Sequence, residues 1–421
     1  MGYGRQYAEH TLLTVGGTIL AGVLFYVLRI VLYASLPAED YGLFYLILSV
    51  AFVLHPVLSF GFDPGVVPFV TRFREEGDVA AVKQAVVGAF VPQGVVGGAL
   101  IAAAWVGAGP IAAWCFDTPA AAPLIRLVAV HAGLMLVFKA GMAVLLGLQS
   151  IAARNLADLA RVAVCVGSAV VFLRLGFGVE AAALAYVAGA AAAIGTEAVA
   201  IAVLHGPVVR GRFRWRPDLV REVFRSGKYL SVAYGGVLIF SHMDTVMLGL
   251  LGRDYGAVAA YQVAVPTIMI IYGLLLAVAS SFMPMVTTLS HRREIPLLAD
   301  GIARIYELAA VVAVPGAVLM ACFSDVLMGT LWRRDVFDAP GAFNILVVGA
   351  VFYFTCYLNL QILAGMGRAR LACRAIAVAL GVNLVLNAVL ILLFGIRGAA
   401  AATVLSHIAA TAIGVAAMRR E

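Results

Sequence analysis

Apolar runs of 18 to 27 residues, each closed by charge or by a Pro/Gly cluster, follow one another along nearly the whole chain. They fall at 11–35, 43–66, 84–108, 121–147, 159–176, 181–204, 228–251, 257–282, 305–324, 341–364, 372–394 and 398–418. A helix needs roughly 20 apolar residues to cross 30 Å of hydrocarbon, so each run is long enough for one crossing. The pattern predicts an all-α polytopic membrane protein of about 12 transmembrane helices, six before and six after one basic stretch. It divides the chain into an N-terminal six-helix lobe (1–204), a basic linker (205–228) and a C-terminal six-helix lobe (229–421).

The basic stretch, His205 to Lys228, holds seven of the 29 Lys and Arg residues. Its second half begins at Pro217 and keeps Leu219, Val220, Val223 and Phe224 on one side. That spacing predicts a helix lying in the cytoplasmic membrane interface, with Trp215 at headgroup depth and arginines towards anionic lipid. Charge also orients the spans. With the N-terminus inside, 21 Lys and Arg fall on the cytoplasmic side, Arg154 and Arg161 among them, against five in outer loops. This bias places both termini in the cytoplasm.

The two halves repeat one another. Gly16-Gly17 recurs as Gly235-Gly236, Pro68-x-Val70-Thr71 as Pro284-x-Val286-Thr287, Gly147 as Gly365, and Gly178-Val179 as Gly395-Ile396, at offsets of 216 to 219. Asp40-Tyr41-Gly42 and Asp254-Tyr255-Gly256 match at 214, out of register with the rest. Six spans per half predict pseudo-symmetric lobes related by an axis along the membrane normal, with a binding site between them near the midplane.

Composition narrows the function. Charged residues are 12% of the chain and apolar residues 63%, against about 25% charged in soluble domains. The net charge of +7 reads as the cytoplasmic-loop excess, so no nucleic-acid partner is expected. Five scattered cysteines form neither a disulfide framework nor a metal spacing. No Walker loop and no HExxH or Cys/His cluster occurs, so no ATP, metal or other cofactor is expected beyond a coupling H+ or Na+. The longest outer loop, Asp325 to Pro340, is too short for a catalytic module, and no enzyme activity is expected. The run from Leu12 to Leu36 exceeds a signal-peptide core and reads as an uncleaved first span.

Ionisable residues inside spans are costly and mark sites. Arg29 lies late in span 1, and Lys139 deep in span 4 shares a broad face with His131. With Arg126, His55 and His242 these make the candidate substrate-binding set. Asp244 in span 7 and Glu197 in span 6 are the candidate ion-coupling carboxylates. A lone histidine in a bundle also serves as a hydrogen-bonded core residue, and Arg126 also suits the outer interface. Asp63, where Pro64 and Gly65 break span 2, reads as a solvated cap or rim residue.

Asn383-Leu-Val-Leu-Asn387, followed by Phe394-Gly395-Ile396-Arg397-Gly398-Ala399-Ala400-Ala401 and Thr403, resembles the C-terminal signature of polysaccharide flippases in the multidrug/oligosaccharidyl-lipid/polysaccharide exporter superfamily. Gly367-Arg368, the segment Leu36 to Phe44, Asp244-x-x-Met247-Leu248-Gly249 and Tyr261-x-x-Ala264 resemble further parts of that pattern. Ala259 stands where the family usually has glycine. The resemblance implies a MATE-like fold and outward movement of an undecaprenyl-diphosphate-linked oligosaccharide across a cytoplasmic (inner) membrane. The expected partners are that lipid-linked oligosaccharide and anionic lipids, around a monomer that works beside glycan polymerase or glycosyltransferases. A drug or cation antiporter of the same superfamily is the rival reading, and a membrane scaffold or glycan-modifying enzyme the third.

Overall fold

The computed structural model describes residues 2–211, 217–269, 294–332, 338–366 and 368–418, together with 286, 289, 290 and 292. Every regular element among them is a helix. In chain order these are α1 (Gly2–Ser35), α2 (Ala38–Leu58), α3 (Phe62–Glu75), α4 (Val79–Cys115), α5 (Ala121–Gly147), α6 (Ile151–Arg174), α7 (Glu180–Leu204) and α8 (Gly206–Arg210). Then come α9 (Pro217–Gly252), α10 (255–269), α11 (Ile295–Cys322), α12 (Ser324–Trp332), α13 (Ala339–Gly365) and α14 (Ala369–Met418). The chain separates into two compact units, Met1–Ile239 and Phe240–Glu421. Eight described helices are long and apolar enough to cross a membrane, and α11 with α12, bent by 70°, brings the number up to nine if the pair is one span. The 46-residue stretch Leu371–Ala416 is about twice the length of one crossing. Gly395 interrupts it with φ 55° and ψ −129°.

Helix boundaries carry the internal repeat. α5 and α13 are both 27 residues long, and Ala339 and Gly365 stand 218 positions after Ala121 and Gly147. The Asp-Tyr-Gly match does not share this register, since Asp40 lies inside the first turn of α2 while Asp254 caps α10 by accepting from Ala257 N at 2.9 Å. Pro284 and Thr287 of the repeat, and Gly367 of the signature, lie outside the described residues.

Four expectations need correction. Span 2 breaks at Phe60 and Gly61, with φ 49° and 76°, not at Pro64-Gly65. Pro64 falls in the first turn of α3, where its missing N–H has no intrahelical partner to lose. Span 5 begins at Ile151, eight residues before the expected start, so Asp158 lies within α6 and not in a loop, and Arg161 lies well inside the helix and not at its start. The supposed loop at 325–340 contains α12, bent 70° from α11. The basic stretch does not form a separate helix on the lipid surface. From Pro217 it continues as α9 for 36 residues, roughly 54 Å, and its first turns bury Leu219 and Val223 in a core cluster with Phe62, Val66, Phe73 and Val82.

Gly65 permits that docking: a Cβ there would sit 2.5 Å from the Val223 carbonyl oxygen. The short α8 is tied down from α4, where Lys83 Nζ donates to Val209 O at 2.6 Å and Gly211 O at 2.8 Å. A cation at a helix C-terminus meets both its unpaired carbonyls and its dipole. Trp215, Arg212, Arg214 and Arg216 lie outside the described residues.

The first unit's interior is formed by α5 packed on α4, α7, α3 and α2, with α6 joining α7 to α1. Residues Tyr41 to Ser49 of α2 are buried on every side, so half of this helix is core and not lipid-facing.

Candidate functional site

Cations and aromatic rings alternate through the first unit. Lys139 Nζ on α5 lies 5.6 Å from the Phe138 ring, and the Arg161 guanidinium on α6 lies 5.6 Å from that same ring. Arg161 also sits 4.7 Å over Phe25 of α1. Phe25 packs on Tyr186 of α7 at 6.0 Å, and the Tyr186 hydroxyl is 3.4 Å from that of Tyr45 on α2. Arg29, one helical turn beyond Phe25, lies 4.3 Å over the Tyr45 ring and hydrogen-bonds Tyr41. Three cations from three helices are thus joined by ring faces, and each such contact contributes about 0.5–2 kcal/mol according to its exposure. The rings orient the cations without neutralising them.

Carboxylates offset part of this charge. Asp158 Oδ1 accepts from Arg161 Nε at 3.0 Å and Nη2 at 2.7 Å, one turn apart on α6. Glu197 on α7 is 1% exposed, and among the described residues neither carboxylate oxygen has a hydrogen-bond partner. It lies flat against α5 at Gly141, where a Cβ would stand 2.1 Å from Oε2. Lys139 and Asp158 are the charged groups that act on it.

The histidines divide. His131 is buried, with Nδ1 3.0 Å from the Tyr186 carbonyl oxygen and its ring edge-on to Tyr186 at 5.3 Å. It positions a ring of the ladder. His55 Nε2 is 3.4 Å from Asp63 Oδ2, a contact that spans the break between α2 and α3. Asp63 is therefore half-buried and paired, unlike the solvated cap expected. Arg126 stands apart: it lies 5.9 Å over Trp105, and 13 residues of α5, roughly 20 Å, separate it from Lys139.

The second unit holds a polar cluster around Asp244, which is 4% exposed on α9. Its Oδ1 accepts from Asn387 Nδ2 at 2.7 Å and Asn383 Nδ2 at 3.1 Å. Its Oδ2 accepts from the Tyr261 hydroxyl at 3.0 Å and from the Thr403 hydroxyl. Asn387 Nδ2 also donates to Asn383 Oδ1 at 3.0 Å, while Asn387 Oδ1 is buried with no partner among the described residues. Beside this cluster Gln262 Nε2 donates to Thr245 Oγ1 at 2.6 Å. His242 is half-buried two residues before Asp244, about 200° away around α9, and so faces away from the carboxylate.

Two features were missed on sequence grounds. Arg161 counts in the sequence only as a cytoplasmic-side charge at the start of span 5, although a paired Asp and Arg at i,i+3 can enter a span together. In the sequence Asn383, Asn387 and Thr403 stand out only as parts of a signature, although the i,i+4 spacing of the asparagines puts two amides on one buried face. Among the described residues no group of three His, Cys, Asp or Glu side chains could hold a metal ion.

Comparison with known proteins gives this geometry a family. The chain matches the polysaccharide biosynthesis protein family over residues 8–290, more than half its length, and the MatE family over residues 231–389. It is 31% identical over 190 residues to the uncharacterized membrane protein MJ1068 of Methanocaldococcus jannaschii. It is 30% identical over 186 residues to the probable low-salt glycan biosynthesis flippase Agl15 of Haloferax volcanii. These matches take in 45% and 44% of this chain but only 37% and 39% of the relatives' own lengths. Its fold is that of a multidrug resistance MATE transporter in the inward-facing conformation, with a TM-score of 0.79 at 15% identity, covering 95% of this chain and 94% of the other. A transporter of the MOP superfamily from Pyrococcus furiosus, whose binding pocket is described as of reverse polarity, gives a TM-score of 0.70 at 15% identity, with 98% and 95% covered. The chain therefore belongs to the polysaccharide biosynthesis protein family and is a multi-pass membrane protein.

Proposed function

We propose that the chain is an alternating-access flippase that moves a polyprenyl-diphosphate-linked oligosaccharide from the cytoplasmic to the outer leaflet of a prokaryotic cytoplasmic membrane, for surface polysaccharide synthesis. The observation that carries this reading is the ladder of Lys139, Arg161 and Arg29, three cations held by aromatic rings with one carboxylate, Asp158, paired to Arg161. A diphosphate cannot cross hydrocarbon unaided, because burial of unpaired charge costs far more than several kcal/mol. Guanidinium groups receive phosphate oxygens in bidentate fashion, and an ammonium serves as a mobile point charge. With the cell interior negative, each anionic charge moved outward gains about 2.3 kcal/mol per 100 mV. The glycan-flippase description of the Haloferax relative supports this substrate class. The basic linker would meet anionic lipid on the cytoplasmic side, where both termini would also lie. Glycosyltransferases would supply the substrate and a polymerase would consume the product.

The Asp244 cluster would bind the coupling ion. It gathers a carboxylate, two amides and two hydroxyls, and no cation pairs with Asp244 among the described residues. Rotating the two amides by 180° would present six oxygens from five groups, a set that suits a hard monovalent cation, and the unpartnered Asn387 Oδ1 would be one of them. A proton on Asp244 would be the other way to offset its charge.

A drug or cation antiporter is the second reading, favoured by the buried carboxylates of Asp244 and Glu197. Reconstitution of the full chain in proteoliposomes separates the two. Flipping of a fluorescent polyprenyl-diphosphate glycan, lost in Arg29→Ala and Lys139→Ala, supports the flippase. Unimpaired flipping in both single variants and the double variant would refute the role of the ladder. Gradient-driven efflux of a cationic dye without glycan flipping would establish the antiporter.

A further inference from the structure

Glu197 is a buried feature of the first unit that the ladder does not explain. A carboxylate that is 1% exposed, with no hydrogen bond to either oxygen, is strongly disfavoured as an anion and tolerable as an acid. Its seat is specific: the carboxyl group occupies the volume that any side chain at position 141 would fill. Its surroundings are mixed in sign. Lys139 on α5 and Asp158 on α6 act on it, and Lys139 in turn feels Arg161, Asp158 and Arg154 on α6 and Asp63 on α3. From α8, which also packs on α7, the only charged residue is the exposed Arg210. The Lys139 ammonium thus acts electrostatically on an internal carboxylate and, on the proposed reading, on the substrate's diphosphate.

We propose that Glu197 is a proton-binding site that controls the anion site of the first unit. Protonated, it rests on Gly141 and leaves Lys139 available to an anion. Ionised, it leaves that seat for Lys139 and neutralises the ammonium. Anion binding at Lys139 is then linked to uptake of a proton at Glu197, and each favours the other by the same factor. This linkage rests on the reading of Lys139 and Arg161 as a diphosphate site. The protonation of Glu197 itself does not. The device gives the first unit its own proton dependence, separate from the ion site at Asp244.

Two measurements on the full chain in lipid nanodiscs test the two parts separately, with inorganic pyrophosphate as the probe. Calorimetry in buffers of different ionisation enthalpy is expected to show up to one more proton taken up per pyrophosphate by wild type than by Glu197→Gln. The affinity of wild type is expected to weaken by as much as about tenfold per pH unit relative to that variant as pH rises. Lys139→Gln is expected to lose binding. Equal proton uptake in wild type and Glu197→Gln overturns the linkage. If wild type does not bind pyrophosphate, the diphosphate reading fails, and infrared difference spectroscopy still decides the proton site. A protonated-carboxyl stretch lost in Glu197→Gln but retained in Asp244→Asn supports it. A spectrum unchanged in Glu197→Gln overturns it.

Discussion

Gly178 and Gly395, 217 positions apart, share a positive φ, 57° and 55°, just ahead of the last helical segment of each half. In neither case would a Cβ meet any atom within 4 Å, so the requirement for glycine is one of backbone conformation and not of space. Gly178→Ala and Gly395→Ala are each expected to destabilise the protein by about 1–3 kcal/mol. Gly167 offers the contrast: it has the same open surroundings but lies within helix α6. Gly167→Ala should therefore stabilise, by up to about 1 kcal/mol. Thermal unfolding in detergent distinguishes the pair, and equal effects at positions 167 and 395 would remove the conformational argument.

What the sequence disclosed follows from the physics of each signal. Gly178 and Gly395 were legible as a repeat because a positive φ admits few alternatives to glycine. Gly147 and Gly365 were legible because both close helices of equal length. The break in span 2 at Phe60-Gly61 is masked in the sequence by Pro64, the stronger break signal, yet a proline in a first turn breaks nothing. Arg161 was hidden by its partner, since a hydropathy boundary stops at the first charge without asking whether Asp158 cancels it. The tyrosines around Arg29 come from α2 and α7 with no shared spacing, and only folding brings Tyr45 to Tyr186.

The seat of Glu197 predicts a large effect from one methyl group. In Gly141→Ala the new Cβ would require the carboxyl to move, because 2.1 Å is far inside van der Waals contact. Overpacking of this kind costs about 1–3 kcal/mol. Displaced from α5, Glu197 should favour Lys139, so pyrophosphate binding should weaken more in Gly141→Ala than in the double variant Gly141→Ala with Glu197→Gln. Equal affinities in the two would show that the methyl acts on packing alone.

Four donors converge on one carboxylate at Asp244, and each can be removed singly. If sodium binds there, it should raise the thermal midpoint of wild type and leave Asp244→Asn unaffected. At sodium a hundredfold above its Kd the stabilisation would be about 2.7 kcal/mol. Asn387→Ala, which removes the unpartnered amide oxygen, should shift the sodium midpoint to higher concentration without abolishing the response. A sodium response that persists in Asp244→Asn would assign the cluster to structure.

His205, between α7 and α8, is held by a 2.7 Å contact from its Nε2 to Ser150 Oγ. Burial, and then the nearby charge of Arg74, lower its pKa below 6.5. The unfolded chain therefore binds more protons between that lowered value and 6.5, so stability from this residue is present above 6.5 and is lost as pH falls through the folded value. A histidine-detected NMR titration should place the midpoint below 6.5, and Arg74→Gln should move it upward. A midpoint unmoved by Arg74→Gln would leave burial as the sole cause.

Arg161 stands at the centre of the ladder, shared between the rings of Phe25 and Phe138 and bidentate with Asp158. Arg161→Ala removes a charged hydrogen-bonded pair that is 14% and 30% exposed, and should cost about 1.5 kcal/mol. Arg161→Lys keeps the charge but gives up the planar fork and the stacking between rings. It should retain most of that stability and still flip the diphosphate-linked glycan several-fold more slowly than wild type. Asp158→Asn provides the opposite test, since it frees the guanidinium from its internal counterion. If Arg161 serves substrate, pyrophosphate should bind Asp158→Asn more tightly than wild type and Arg161→Lys more weakly. If Arg161 only braces α6 against α1, both variants should bind as wild type does and differ from it in thermal midpoint alone.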